Sequence, residues 1–269
     1  MPALHRFTIL GCGSSPGVPR IGGDWGACDP NEPRNRRRRA SLLIERFAED
    51  GGRTVVVIDT GPDFREQMLS AGIGWADGVV YTHAHADHIH GIDDLRAFVL
   101  NRRQRVTIYA DEATSDRLHA AFGYCFATPP GSSYPPILDE VRIKALVPFS
   151  IDGPGGPITL TPYRQIHGDG ESLGFKVGNL AYSSDVSALP PETLPLLREL
   201  DVWIVDALRY NPHPSHFSVN ESVTWSRKLM TRSTFLTHMH IDLDYTEIKG
   251  KIPYDIQPCH DGMTIDMMI

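Results

Sequence analysis

The sequence has few cysteines, and their arrangement predicts neither a disulfide framework nor a thiolate metal site. Four thiols, Cys12, Cys28, Cys125 and Cys259, are scattered over 269 residues without paired spacing. We therefore expect reduced thiols in a cytoplasmic protein. Cys12 and Cys125 are expected to pack as small hydrophobic side chains.

Long apolar runs are also missing. No segment approaches the ~20 consecutive apolar residues that a membrane span needs. The first ten residues, Met1 to Leu10, show no export signal. We expect a chain that does not associate with a membrane.

Positive charge is in deficit, since 26 Lys and Arg residues face 33 Asp and Glu residues for a net charge of −7. This balance argues against a protein that holds nucleic acid through its surface charge, so no stable nucleic-acid partner is expected. One basic run stands out, Arg34 to Arg39. Either these side chains form salt bridges with the many acids, or one or two of them contact a substrate phosphate through the bidentate guanidinium.

The most informative feature that is present is Thr82-His83-Ala84-His85-Ala86-Asp87-His88, which follows the apolar run Gly78 to Tyr81. Imidazole nitrogen and carboxylate oxygen are ligands of borderline divalent ions such as zinc or manganese. Side chains alternate along an extended chain, so His83 and His85 should point to the same side. Asp87 and His88 follow the turn and can serve a second ion.

Three further polar residues stand at the ends of apolar runs. His167 ends the run from Ile158, Asp185 follows Leu180 to Ser184, and His238 follows Thr234 to Thr237. Each alone could be a polar residue at a strand end. Because an ion needs at least four donors, the three together with the first cluster favour a two-metal site.

Composition and periodicity predict a single α/β domain spanning residues 1–269, which is 41% hydrophobic and has no compositional boundary. Periodicity predicts strands at Arg6–Leu10, Ala40–Phe47, Thr54–Asp59, Gly78–Thr82, Val106–Tyr109, Ile158–Tyr163, Gly174–Tyr182, Asp201–Asp206 and Thr234–Thr237. It predicts helices at Asp63–Ala71, Ile92–Arg102, Glu112–Phe122, Glu192–Leu200 and Val219–Thr231.

These motifs resemble the metallo-β-lactamase fold hydrolases, and within them the phosphodiesterase branch that includes the phosphoribosyl cyclic phosphate phosphodiesterase of phosphonate breakdown. The likeness rests on Gly11-Cys12-Gly13-Ser14-Ser15-Pro16-Gly17-Val18-Pro19, the His83 to His88 cluster, His167, Ser184-Asp185, Leu236-Thr237-His238 and the closing Asp261-Gly262-Met263. The resemblance implies an αββα sandwich of two mixed sheets with helices outside. A homodimer is expected from the same likeness.

The resemblance also implies two divalent ions, manganese or zinc, with one shared ligand. The implied ligands are His83, His85 and His167 for one ion, Asp87, His88 and His238 for the other, and Asp185 as the bridge between them. A carboxylate shared by two cations reduces their mutual repulsion. Two ions can also lower the pKa of a bridging water toward roughly 7, which makes hydroxide available as the nucleophile.

Asp87 and His216 are the candidate catalytic residues. His216, in Pro214-Ser215-His216-Phe217-Ser218, stands where the branch carries a His thought to protonate the leaving group. The neighbouring His213 could share this role. The alternative is that His216 caps the helix that follows or only packs there.

The chain departs from its relative at a structural zinc site, which that phosphodiesterase builds from closely spaced cysteines and a later His. Here the loop from Ile21 to Pro30 keeps only Cys28, and Ile241 stands at the later position. A tetrahedral site cannot close on one thiolate, so two metals and no third are expected. The adjacent His240 either orients His238 or replaces it as ligand.

The predicted function is hydrolysis of a small cyclic or nucleotide-type phosphodiester by a metal-bridging hydroxide. One alternative is a tRNA 3′-end processing endonuclease, which would share the metals and the role of His216. The other is a non-hydrolytic binding protein on the same fold.

Overall fold

The computed structural model describes residues 3–269, and within them two seven-stranded sheets form the centre of the fold. The first sheet has the order β14-β1-β2-β3-β4-β5-β6. Its strands are β1 (Leu4–Gly11), β2 (Ser41–Phe47), β3 (Arg53–Ile58), β4 (Gly78–Val80), β5 (Val106–Ala110), β6 (Leu138–Arg142) and β14 (Thr264–Met268).

The second sheet has the order β13-β12-β11-β10-β9-β8-β7. Its strands are β7 (Phe149–Ile151), β8 (Ile158–His167), β9 (Gly170–Val177), β10 (Leu180–Ser183), β11 (Val202–Asp206), β12 (Ser233–Thr237) and β13 (Ile256–Pro258). Both sheets are mixed, because β1 to β3 and β7 to β10 pair antiparallel whereas β3 to β6 and β10 to β13 pair parallel.

Helices connect the parallel strands. They are α1 (Phe64–Ala71), α2 (Ala86–Ile89), α3 (Arg96–Arg102), α4 (Glu112–Phe122), α5 (Leu194–Leu197), α6 (Val219–Leu229) and α7 (Tyr245–Lys251). The helix–sheet–sheet–helix prediction is confirmed. None of the helices in the described part of the chain combines the length and apolarity needed to cross a membrane.

The alternation of side chains along the central strands explains the layers. In β2, Leu42 and Ile44 belong to a core that also contains side chains of the second sheet, such as Phe175 and Tyr182. Leu43, between them, packs into a second core with residues of the helical layer. Strands covered on both faces are nearly continuously apolar, which is why the sequence signal for β2 and β3 is strong.

Several predicted elements are wrong in extent. The predicted helix Ile92–Arg102 is α-helical only from Arg96, after a 3-10 turn at Ile92–Leu95, and the predicted strand Ile158–Tyr163 continues to His167. Gly174–Tyr182 is not one strand, because Gly178 adopts a positive φ of 54° and turns β9 back into β10. The predicted helix Glu192–Leu200 is only the single turn α5. The short strands β6, β7, β13 and β14 were not predicted, since three to five residues with mixed burial carry little periodic signal. The helices α2 and α7 were not predicted either.

The carboxyl ends of several strands lie together at one edge of the sandwich. In the second sheet β8, β10, β11 and β12 run in the same direction, so their carboxyl ends lie together. Such edges are where open α/β sheets place ligand sites. The predicted ligands His167, Asp185 and His238 stand at these ends or directly after them.

Candidate metal centre

The structure brings all seven predicted ligands together in two groups that share Asp185. In each group one ligand atom per residue lies within 4.8 Å of all the others. The groups are His83, His85, His167 and Asp185, and Asp87, His88, Asp185 and His238. The division of residues matches the one that the resemblance implied.

The first group combines three imidazoles with one carboxylate oxygen. His85 Nδ1 lies 2.9 Å from His83 Nε2 and 3.2 Å from His167 Nε2. Asp185 Oδ2 is 3.8 Å from His83 Nε2 and 3.6 Å from His167 Nε2. One nitrogen of each imidazole and one oxygen of Asp185 therefore lie close enough together to share one ion.

The second group is built from α2, Asp185 and the end of β12. Asp185 Oδ1 lies 3.1 Å from His88 Nε2 and 3.4 Å from His238 Nε2. Asp87 Oδ2 lies 3.4 Å from His88 Nε2 and 3.6 Å from His238 Nε2. The two oxygens of Asp185 therefore face different groups.

Four buried polar atoms of the second group have no hydrogen-bond partner among residues 3–269. They are Asp87 Oδ2, His88 Nε2, Asp185 Oδ1 and His238 Nε2. Burying a polar atom without a partner is costly, so native proteins rarely leave several at one point. Nitrogen and oxygen atoms of these types are ligands of zinc and manganese, and the residues present fit divalent ions.

The charges within the site are strongly coupled. Burial by itself would raise the pKa of the Asp185 carboxyl, but His238 and His88 hold that pKa well below its ordinary value. Burial lowers the pKa of His238, yet the Asp185 and Asp87 carboxylates raise it to about 9. Burial and the neighbouring His88 lower the pKa of His83, so this ring is neutral and its lone pair is available.

A buried carboxylate that was not predicted, Asp59, orients one of the ligands. It directly follows β3, and its Oδ2 lies 2.7 Å from His88 Nδ1. The backbone N–H and the hydroxyl of Thr82 donate to its two oxygens at 2.8 Å. A carboxylate behind a ligating imidazole fixes the tautomer and the ring orientation. Its position at the end of a predicted strand is the signal that could have identified it.

A second carboxylate that was not predicted, Asp206, stands behind His216. It ends β11, and its Oδ2 lies 2.7 Å from His216 Nδ1 and accepts the Val186 N–H at 3.0 Å. Its Oδ1 is 3.8 Å from His238 Nδ1. His216 Nε2 is 4.0 Å from Asp185 Oδ2, so His216 borders the two metal-ligand groups. Asp206, His216 and His238 also form a third group of possible ligand atoms.

His216 does not cap the helix that follows it. The N-cap of α6 is Ser218, whose hydroxyl accepts the Glu221 N–H while the Glu221 carboxylate accepts the Ser218 N–H. His216 is buried beside Asp206 two residues earlier. The capping alternative is therefore wrong, and the side chain is available for the site.

Three residues at the site adopt backbone conformations that side chains disfavour. The φ angles are 65° for Asp59, 49° for Asp185 and 57° for His238. Left-handed backbone is uncommon outside glycine and occurs often at functional sites. Asp59 and His238 directly follow a strand and Asp185 follows one after a single residue, so each of these turns determines where the carboxylate or imidazole points.

The Gly-rich segment near the start of the chain packs against the loop that carries His238. Met239 N–H donates to Cys12 O at 2.8 Å, and Gly13 forms an isolated bridge with Met239. A Cβ on Gly11 would lie 2.0 Å from Arg39 O. Glycine is required there because two backbones approach closely.

His240 neither orients nor replaces His238. Its Nε2 contacts the Arg20 guanidinium, and its Nδ1 lies 3.1 Å from Asp242 Oδ2. His238 is the residue that lies in the ligand group, and the carboxylate nearest its Nδ1 is Asp206. Both interpretations of His240 are therefore wrong.

Cys28 lies in a small apolar cluster with Val18 and Ile241 rather than beside a histidine. The buried Arg37 guanidinium donates to Leu243 O at 2.6 Å and His240 O at 3.3 Å, and it contacts Cys28 Sγ. Arg37 thus connects the strands and loops of this corner. The expectation that no third ion binds stays a prediction.

The arginine run mainly forms ion pairs. Arg38 Nε donates to Asp261 Oδ2 at 3.0 Å, and Arg39 Nη1 donates to Asp63 Oδ1 at 3.0 Å. For these two side chains the structure favours the salt-bridge interpretation over contact with a substrate phosphate.

Comparison with known proteins identifies the family. Residues 54–239 match the family model described as the beta-lactamase superfamily domain. The chain belongs to the beta-lactamase superfamily. A solved diphosphatase from the PhnP family is 37% identical, with a TM-score of 0.88 over 100% of this chain and 99% of that chain. The chain therefore also belongs to the PhnP family, which confirms the predicted phosphodiesterase branch.

Two further proteins that are similar to this chain are informative. A curated octanoyltransferase from Porphyromonas gingivalis (strain ATCC BAA-308 / W83) is 32% identical over 263 residues, which are 96% of this chain and 51% of the relative. The chain thus spans about half the length of that relative. Zinc-bound PqqB from Methylobacterium extorquens is 16% identical, with a TM-score of 0.71 over 97% of this chain and 100% of that one, and shows the fold alone.

Proposed function

We propose that the protein is a metal-dependent hydrolase that cleaves a phosphoric diester or diphosphate linkage in a small molecule. The observation that carries this proposal is the pair of ligand groups joined by Asp185, the second of which contains four buried polar atoms without a hydrogen-bond partner among residues 3–269. Membership of the PhnP family supports the reaction class, since its solved relative is named a diphosphatase.

His83, His85 and His167 would hold one divalent ion. Asp87, His88 and His238 would hold the other, and Asp185 would contribute one oxygen to each. Manganese and zinc both suit this mixture of nitrogen and oxygen donors. Such ions would acidify water and neutralise charge on the non-bridging phosphate oxygens.

His216 would give a proton to the leaving group. The Asp206 carboxylate accepts the Nδ1–H of His216, which leaves Nε2 on the side of the metal-ligand groups. The same carboxylate fixes the tautomer and the orientation of the ring. A proton donor in this position typically contributes about 10² to 10⁴ in rate.

A small substrate is favoured over transfer RNA because the chain carries a net charge of −7. Nucleic-acid affinity depends largely on neutralising phosphates with Lys and Arg. Hydrolysis of precursor tRNA at rates matching small substrates would contradict this choice. Binding without hydrolysis is not favoured, since no position of the ligand set is missing.

The test is a hydrolysis screen of purified protein loaded with manganese or with zinc. The substrates are 2′,3′-cyclic nucleotides, ribose cyclic phosphates, a dinucleoside diphosphate and a linear diester reporter. We expect metal-dependent cleavage of at least one of them, and a chelated sample serves as the control. Failure of every substrate with both metals would contradict the proposal.

His216→Ala separates the roles of ligand and acid. We expect kcat to fall about 10²-fold or more because the proton donor is lost. Metal content should stay unchanged because His216 is not in the two principal ligand groups. Loss of metal in this variant would show that His216 is a ligand instead.

A further inference from the structure

Arg209 lies beside the site, on the loop that carries His216. Leu208, next to it, accepts the His240 N–H at 2.9 Å and donates to Phe217 O at 2.9 Å. Arg209 O itself accepts the Val219 N–H at 3.0 Å. These bonds place Arg209 between the segment that follows His238 and the segment that follows His216.

The guanidinium of Arg209 is bonded to the backbone just before His213. Its Nε donates to Asn211 O at 3.2 Å, and its Nη2 donates to Pro212 O at 3.0 Å. Pro212 directly precedes His213. Burial and the neighbouring His216 lower the pKa of His213, and the positive charge of Arg209 contributes in the same direction.

Arg209 differs from the nearby Arg20 in having no carboxylate partner. Arg20 lies 3.7 Å from Asp24 and contacts His240, whose other nitrogen faces Asp242. Within residues 3–269 no carboxylate oxygen lies within 4.0 Å of the Arg209 guanidinium, and the bonds that this group makes are exposed to solvent. Its two carbonyl contacts leave further N–H donors unused.

His213 presents a hydrogen-bond donor beside His216. The Ser215 N–H points at His213 Nδ1 at 3.3 Å, and a backbone N–H can only donate. Nδ1 is therefore the acceptor, and the proton of the neutral ring is on Nε2. The ring centroids of His213 and His216 are 5.2 Å apart, and no described residue forms a hydrogen bond with Nε2.

We propose that Arg209 and His213 bind a second anionic group of the substrate on the leaving-group side of the scissile bond. This inference rests on the proposed hydrolase function and deepens it. A guanidinium with unused donors suits phosphate oxygens, and it is bonded to the backbone that directly precedes an imidazole N–H. The pair therefore selects a substrate with two linked phosphates over a diester with one.

The experiment compares two substrates that differ in the number of phosphates. They are diadenosine diphosphate, with two, and thymidine 5′-(p-nitrophenyl phosphate), with one. Metal-loaded wild type, Arg209→Gln, Arg209→Lys and His213→Ala are assayed for kcat and KM on both. Arg232→Gln is the matched control, because Arg232 is exposed at the opposite end of the second sheet.

For each variant we divide kcat/KM on the diphosphate substrate by kcat/KM on the monophosphate substrate. We expect Arg209→Gln to lower this ratio about tenfold or more, mainly by raising KM for the diphosphate substrate. His213→Ala should lower the same ratio by a smaller factor, and Arg209→Lys should restore part of it. Arg232→Gln should leave the ratio at the wild-type value. The ratio should fall because these variants remove hydrogen-bond donors that only the second phosphate contacts.

Several results would overturn the inference. An equal loss on both substrates would show that Arg209 only supports the loop, and an unchanged ratio in both Arg209→Gln and His213→Ala would exclude the subsite. Wild type that cleaves only the monophosphate substrate would exclude selection of two phosphates while leaving the hydrolase function intact. Wild type that cleaves neither, nor any other diester, would remove the proposed function itself.

Discussion

Asp185 stands where the two groups of ligands meet, and its two carboxylate oxygens have different neighbours. Oδ2 faces His83 and His167, whereas Oδ1 faces His88 and His238. A carboxylate is the side chain that offers two equivalent anionic oxygens at this separation. At the scale of single residues, the site therefore depends on this one group more than on any imidazole.

Asp185→Asn should impair both metal binding and turnover. The amide nitrogen of Asn cannot ligate a cation, so only one of the two groups would keep its oxygen. We expect loss of at least half of the bound metal and a fall in kcat of about 100-fold or more. Metal analysis and the reporter assay measure both, with the exposed Asp139→Asn as control. Undiminished activity would exclude the shared-carboxylate arrangement.

Asp206→Asn tests the carboxylate behind His216. An amide can accept from the ring or donate to it, so it does not fix the tautomer of His216 as the carboxylate does, and kcat should fall by about 10-fold to 10³-fold. Since the two side chains act together, adding His216→Ala should cause little further loss. Steady-state kinetics of the single and double variants check this, with Asp201→Asn as control. Additive losses would show that Asp206 acts independently of His216.

At the scale of elements, the helix α6 holds the loop of the proposed acid. Its capping box, Ser218 with Glu221, begins two residues after His216, and the Ser222 hydroxyl donates to Asp206 O at 2.5 Å. The start of α6 is thus tied to the end of β11. A well-defined helix start is expected to keep His216 in place against Asp206.

Ser218→Ala should destabilise the protein and also lower activity. Loss of an N-cap typically costs about 1 kcal/mol, which corresponds to a fall in Tm of roughly 2–4 °C for a chain of this size. Calorimetry and the reporter assay measure the two effects. Thr224→Ala, an exposed change on the same helix, is the control and should leave both quantities near wild type. An unchanged Tm would contradict the capping argument.

A second element-scale feature is the buried Arg37, which joins the segment before β2 to the loop after β12. Arg37→Ala would leave the carbonyls of His240 and Leu243 without their donor, at a cost of about 1–3 kcal/mol for each unsatisfied group. We expect the free energy of unfolding to fall by about 3 kcal/mol or more in urea titration. The exposed neighbour Arg36→Ala should change it by less than about 0.5 kcal/mol. Equal stabilities would exclude a structural role for Arg37.

At the scale of the whole molecule, the site joins the two sheets. The His83 to His88 cluster follows β4 of the first sheet, whereas His167, Asp185 and His238 come from the second. Bound ions would therefore connect the two halves of the sandwich at one edge. Ligands that bind only the folded state stabilise it in proportion to the logarithm of their concentration.

Removal of metal should consequently lower thermal stability. A thousandfold excess over Kd stabilises the folded state by about 4 kcal/mol, so chelation should lower Tm by roughly 10 °C. Calorimetry of metal-loaded and chelated protein measures the shift. His83→Ala should show a smaller shift because one ligand group is incomplete. Equal Tm values with and without chelator would contradict binding between the sheets.

Local sequence determined much of this protein. The His83 to His88 cluster lies on seven consecutive residues, and covalent spacing alone brings its donors close. His167, Asp185 and His238 were recognisable because each stands where an apolar strand stops. Asp59 and Asp206 occupy equivalent positions, yet a single carboxylate at a strand end is too common a pattern to identify a partner of His88 or His216.

Only the tertiary structure decided which distant residues meet. The assignment of Asp59 to His88, Asp206 to His216 and Arg37 to the loop after β12 depends on strand order and on backbone turns with positive φ. The sequence by itself determined the alternation of strands and helices and the chemical types of the donors, because these follow from local periodicity and side-chain identity. The pairing of donors from two sheets was decided by the packing of those sheets, since contacts between residues far apart in the chain leave no local pattern.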